Sequence, residues 1–173
     1  KTAYEISLGL VGSEMCIRDR INVLTTSTGM PYGICSGQGW ESEKTIDLSS
    51  YHKLKTASLI VAATKMGPIS AGEDPEPWAE LGQRIGEAFQ VADDLKDFSD
   101  SQKSGKSNNR DRENERPNAV LKLGEQGAIK RLQDILAGAI ASIPSCPGEV
   151  ELIKIVRSQA ERLTPVEPLQ KTL

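Results

Sequence analysis

Asp93, Asp94 and Asp97 lie close together in the run Phe89-Gln90-Val91-Ala92-Asp93-Asp94-Leu95-Lys96-Asp97. On a helix, at about 100° per residue, Asp93 and Asp97 are neighbours one turn apart and Asp94 flanks them. Like charges so placed repel unless a cation sits between them. Mg²⁺ suits such a group, with Mn²⁺ as a substitute: it prefers oxygen ligands, keeps several waters and is commonly held by one or two carboxylates plus substrate phosphate oxygens. The same pattern also describes a solvated acidic face on a surface helix, so its surroundings must decide.

Other residues carry chemistry only in context. Lys55, followed by Thr56, is flanked by apolar turns. Such a lysine either snorkels to solvent along its stem or, turned into a cleft, supplies a point charge for a phosphate. Gln38 precedes Glu41 by three residues, which puts an amide and a carboxylate on one face or simply marks a polar helix end. His52, the single histidine, reads as structural. Residues 101–118 lose all apolar character and hold Lys103, Lys106, Arg110, Arg112 and Arg116. These cations either close over a bound polyanion or line a solvated loop.

The elements that must position these groups read as helices. Around the acidic run, Gln83, Gly86, Gln90, Asp93, Asp94 and Asp97 fall in one narrow arc. Trp78, Leu81, Ile85, Ala88, Phe89, Val91, Ala92, Leu95 and Phe98 occupy the remainder. This predicts an amphipathic helix over 78–101, started by the acidic, proline-bearing turn at 72–77. Upstream, 21–39 is small and glycine-rich, so a helix there depends on close packing against neighbours. Capping residues at 47–50 precede a helix ending near Gly67, with Leu54, Leu59, Val61, Ala62, Met66 and Ile69 as its apolar positions. Downstream, Ile129, Leu132, Leu136, Ala139 and Ile143 mark a helix over 119–143. Val150, Ile153, Val156, Ala160 and Leu163 mark another over 149–163, after a turn at 144–148. No segment carries a strand pattern, so the expected fold class is all-α.

Composition narrows the function classes. With 173 residues the chain is long enough for one domain with a core, and aromatics at 4% leave that core to Leu, Ile, Val and Ala. A net charge of −3 with no basic stripe disfavours nucleic-acid binding. Cys16, Cys35 and Cys146 are odd in number and dispersed, which argues against a zinc site or disulfide framework and for a reducing, cytoplasmic location. No apolar run approaches the ~18 residues of a transmembrane helix. Residues 1–20 join poorly to the segment that begins at Ile21. The run from Ser7 to Arg20 resembles translated sequencing-adapter read-through, so residues 1–20 are set apart from 21–173 as a lead outside the fold.

Taken in order, Gly37-Gln38, Lys55-Thr56, Phe89-Gln90-x-x-Asp93-Asp94-x-x-Asp97, Gly105-Lys106, Asp111 and Arg116-Pro117-Asn118-Ala119-Val120 resemble the C-terminal half of trans-type polyprenyl diphosphate synthases. The Arg-Pro-Asn-Ala-Val form is most similar to bacterial geranylgeranyl diphosphate synthases. The resemblance implies an isoprenoid-synthase helical bundle, normally homodimeric, that condenses isopentenyl diphosphate with an allylic diphosphate at a Mg²⁺ site between two aspartate-rich segments. It implies metal binding for Asp93, Asp94 and Asp97, diphosphate contacts for Lys55 and Lys106, and polar site roles for Gln38, Thr56 and Gln90. Phe89 would lie near the isopentenyl substrate. Catalytic roles fall to Lys55, Thr56 and Gln90.

Three departures accompany the resemblance. Asp93-Asp94 is the single adjacent Asp pair, so the family's first aspartate-rich segment is missing and the chain reads as a fragment. Glu41 stands where Asp is common, and Asn109 where Gly is common. The alternative function is a non-catalytic helical subunit that supports an active synthase.

Overall fold

Apolar residues recurring every three or four positions make helices, and the described segments are helices joined by turns. The computed structural model describes residues 3–40, 42, 43, 51, 53–104 and 118–163. In chain order the elements are α1 (Ala3–Thr28), α2 (Ile34–Trp40), a π-helical turn (Lys53–Ala57), α3 (Ser58–Ala71), a 3₁₀ turn (Glu76–Trp78), α4 (Ala79–Ser104), α5 (Ala119–Ala141) and α6 (Glu149–Leu163). No strand occurs among the described residues, and the fold is all-α. Helix α1 runs without interruption through residue 20, across the boundary drawn from the sequence.

The chain divides into two compact units, Lys1–Gln83 and Arg84–Leu173. In the first, α1 packs along α3, and α2 packs on the π-helical turn. That second contact depends on Gly37. A Cβ there would stand 2.7 Å from the Lys55 backbone nitrogen and 2.9 Å from its Cα, closer than packed atoms tolerate. The expected close packing of the glycine-rich segment is thus present at this residue.

Helix α3 continues past Gly67 and through Pro68 to Ala71. Proline removes one helical N–H bond, but the ring is buried beside Ile69 and the helix has only one more turn to make. It closes at Gly72, whose φ of 77° lets the Gly72 N–H reach Ile69 O (3.2 Å) and the Glu73 N–H reach Pro68 O (2.9 Å). This paired pattern is the Schellman ending that glycine permits.

In the second unit α4 and α5 share a core. Ala88, Val91, Ala92 and Leu95 of α4 meet Val120, Ala128, Leu132, Ile135 and Leu136 of α5, with Phe98, Ala119 and Ile129 at the margin. An exposed ion pair, Arg131 with Glu87 at 2.5 Å, bridges the same two helices and contributes little in water. Helix α5 is kinked at Gly124, whose φ of 73° and ψ of 167° are non-helical. Helix α6 packs on α5 and buries Val156, whereas Val150, in its first turn, is exposed.

Candidate functional site

Lys55 lies on the π-helical turn, a geometry that places an extra residue in one helical turn and is frequent at functional sites. Its half-buried ammonium donates to the hydroxyl of Tyr51 at 2.7 Å and lies 5.2 Å from the centre of that ring. Tyr51 itself is 4% exposed. The side chain is therefore neither snorkelling freely nor loose. It is held by a buried phenol through a hydrogen bond and a cation–π contact. Thr56 follows on the same turn, half-buried, and Gln38 is exposed on α2 next to Gly37. Tyr51 was missed by sequence reading, although its position four residues before Lys55 is the spacing of helical neighbours.

The acidic run lies on α4 and its three carboxylates differ in environment. Asp93 and Asp97 are exposed and Asp94 is buried at 9%. Helix geometry accounts for the split: Asp94 is rotated about 60° from Asp97 toward Val91 and the core. Its Oδ2 accepts the backbone N–H of Ala119 at 2.7 Å, and Gln90 Nε2 donates to Oδ1 over a longer 3.4 Å. Next to it, Asn118 adopts an extended φ of −108° and caps α5, its Oδ1 accepting from Val120 N (2.9 Å) and Leu121 N (3.2 Å). Phe89, one turn before Asp93, is 40% exposed despite its apolar ring. Lys106 lies outside the described residues, as do His52, Asp111 and Arg116.

Among the described residues no three His, Cys, Asp or Glu side chains are grouped to hold a metal ion. Asp93 and Asp97 present two exposed carboxylates one turn apart on α4, oxygen donors of the kind that a hard divalent cation takes.

A sequence profile described as "Polyprenyl synthetase" matches residues 3–154. The chain belongs to the polyprenyl synthetase family. It is 58% identical over 148 residues to the geranylgeranyl diphosphate synthase of Cereibacter sphaeroides, covering 85% of this chain and 51% of that protein. To the geranylgeranyl diphosphate synthase of Rhodobacter capsulatus it is 53% identical over 147 residues, with 84% and 51% covered. To the farnesyl diphosphate synthase of Escherichia coli it is 31% identical over 144 residues, with 75% and 48% covered. The chain spans about half the length of these polyprenyl synthetase relatives. No described helix is long and apolar enough to cross a membrane.

Proposed function

We propose that this chain carries the part of a prenyltransferase that holds the diphosphate of an allylic substrate, in a protein that condenses it with isopentenyl diphosphate. The observation that carries the reading is the exposed Asp93–Asp97 pair in a chain 58% identical to a geranylgeranyl diphosphate synthase. In this reaction the allylic carbon–oxygen bond breaks and its electron pair leaves with pyrophosphate. The double bond of isopentenyl diphosphate attacks the carbocation, and a proton is lost from the adjacent carbon.

Asp93 and Asp97 are the residues proposed to hold Mg²⁺. When bound, the ion would supply Lewis-acid stabilisation of the departing pyrophosphate. Lys55 neutralises phosphate charge from a fixed position, since Tyr51 limits its rotamers before substrate arrives. Lys106 is the second proposed cation for the same group. Thr56, Gln90 and Gln38 contribute uncharged polar contacts, and Phe89 offers an exposed ring to the isopentenyl chain, excluding water from the cation. A homodimer and a cytoplasmic location complete the proposal.

The test is turnover by the full-length protein with isopentenyl and allylic diphosphates. Pyrophosphate release should require Mg²⁺ and fall by about 100-fold or more in Asp93→Ala, the scale on which removing one electrostatic stabiliser acts. Equal turnover by the variant, or none by the parent with Mg²⁺ present, counts against it.

A further inference from the structure

We infer that Asp94 is a positioning residue that fastens the start of α5 to the acidic face of α4, and not a third ligand of the Mg²⁺ proposed for Asp93 and Asp97. The metal half of this statement rests on the proposed function; the anchoring half stands on the hydrogen bonds alone.

The N–H groups at the start of a helix have no partner within it. At the start of α5 those of Ala119, Val120 and Leu121 are taken up by side chains. Ala119 N–H goes to Asp94 Oδ2 at 2.7 Å, Val120 N–H and Leu121 N–H go to Asn118 Oδ1, and Lys122 N–H makes the first helical bond, to Asn118 O at 3.1 Å. Asn118 alone reaches two of these donors. Asp94 supplies the acceptor for Ala119 from 25 residues away. Turning Asp94 outward to a cation would leave the Ala119 N–H without that acceptor at the edge of the packed core. Its other oxygen accepts from the Gln90 amide at 3.4 Å.

The acidic run 89–97 and the start of α5 at 118–120, separate in the sequence, therefore meet at one hydrogen bond. Its consequence is orientation. The bond adds to the core contacts of Ala88, Val91, Ala92 and Leu95 in keeping that face of α4 turned to α5, with Asp93 and Asp97 on the exposed side.

Asparagine separates the two roles. Its carbonyl can accept the Ala119 N–H, and its NH2 group can donate to the Gln90 amide oxygen once that amide turns over, whereas a neutral amide is a poor replacement for a charged Mg²⁺ ligand. The experiment uses the full-length protein and its variants Asp94→Ala, Asp94→Asn, Asp93→Asn and Asp97→Asn. Affinity for inorganic pyrophosphate in saturating Mg²⁺ is measured by titration calorimetry, and Tm by scanning calorimetry. Asp94→Ala should lower Tm by about 5 °C and weaken affinity about tenfold, as loss of a second-layer support does. Asp94→Asn should restore both, with affinity within about threefold of the parent. If Asp94→Ala does not fold, the comparison of Asp94→Asn with Asp93→Asn carries the test. An Asp94→Asn protein as weak as Asp93→Asn, at unchanged Tm, overturns the inference. Unchanged affinity in Asp93→Asn and Asp97→Asn overturns the metal reading instead, while the Tm loss in Asp94→Ala still reports the anchor.

Discussion

A lysine ammonium drawn half out of water needs a partner, and Tyr51 provides one for Lys55 from a buried position. Tyr51→Phe removes the acceptor but keeps the ring, so it should cost about 0.5–1.5 kcal/mol of stability, the net value of one such bond, read from urea unfolding. A change below the error of that measurement would mean that the hydroxyl contributes nothing. At this scale the sequence disclosed residue types and spacing but not environments. Asp93 and Asp94 are chemically identical neighbours, yet one is exposed and the other buried, because a single residue step turns the side chain through about 100°. The apolar positions around the run place Asp94 nearer the core than Asp93, but its bond to the Ala119 N–H, 25 residues away, leaves no local pattern.

Two elements each depend on a single residue. The start of α5 depends on Asn118, which is 7% exposed and accepts two backbone N–H groups. Asn118→Ala should destabilise by about 1 kcal/mol and Asn118→Asp by much less, measured by thermal unfolding; equal losses would deny the capping role. Helix α2 depends on Gly37, since any Cβ there meets the backbone of Lys55. Gly37→Ala should cost about 1–3 kcal/mol by overpacking and shift the NMR signals of the π-helical turn, whereas an unperturbed turn would contradict the contact. Helices α4, α5 and α6 were legible from their apolar positions and from the breakers that bound them, but the break at Gly124 inside α5 was not. The π-helical turn was not, because an inserted residue is selected by packing against α2 and leaves no repeat to read. The end of α3 was set too early because a proline in a last helical turn looks like a stop when its burial is unknown.

Across the whole molecule, the all-α class was legible because no stretch alternates as strands do, and the family because its motifs recur at characteristic intervals. Residues on both sides of the expected boundary at 20 lie in one helix, α1, which runs to Thr28. Met15, Ile17, Ile21 and Leu24 of α1, with Met30 and Tyr32 beyond it, expose apolar surface. Such surface drives association, so the chain at micromolar concentration should elute above monomer mass in chromatography with light scattering. A sharp monomer would show that the patch is tolerated. The central claim is that Asp93 and Asp97 hold Mg²⁺ for a diphosphate. Calorimetric titration of the chain with inorganic pyrophosphate, in Mg²⁺ and in EDTA, tests it most directly. The account predicts binding that requires Mg²⁺ and weakens at least about tenfold in the Asp93→Ala, Asp97→Ala double variant. Binding of equal strength in EDTA, or a double variant that binds like its parent, would contradict it.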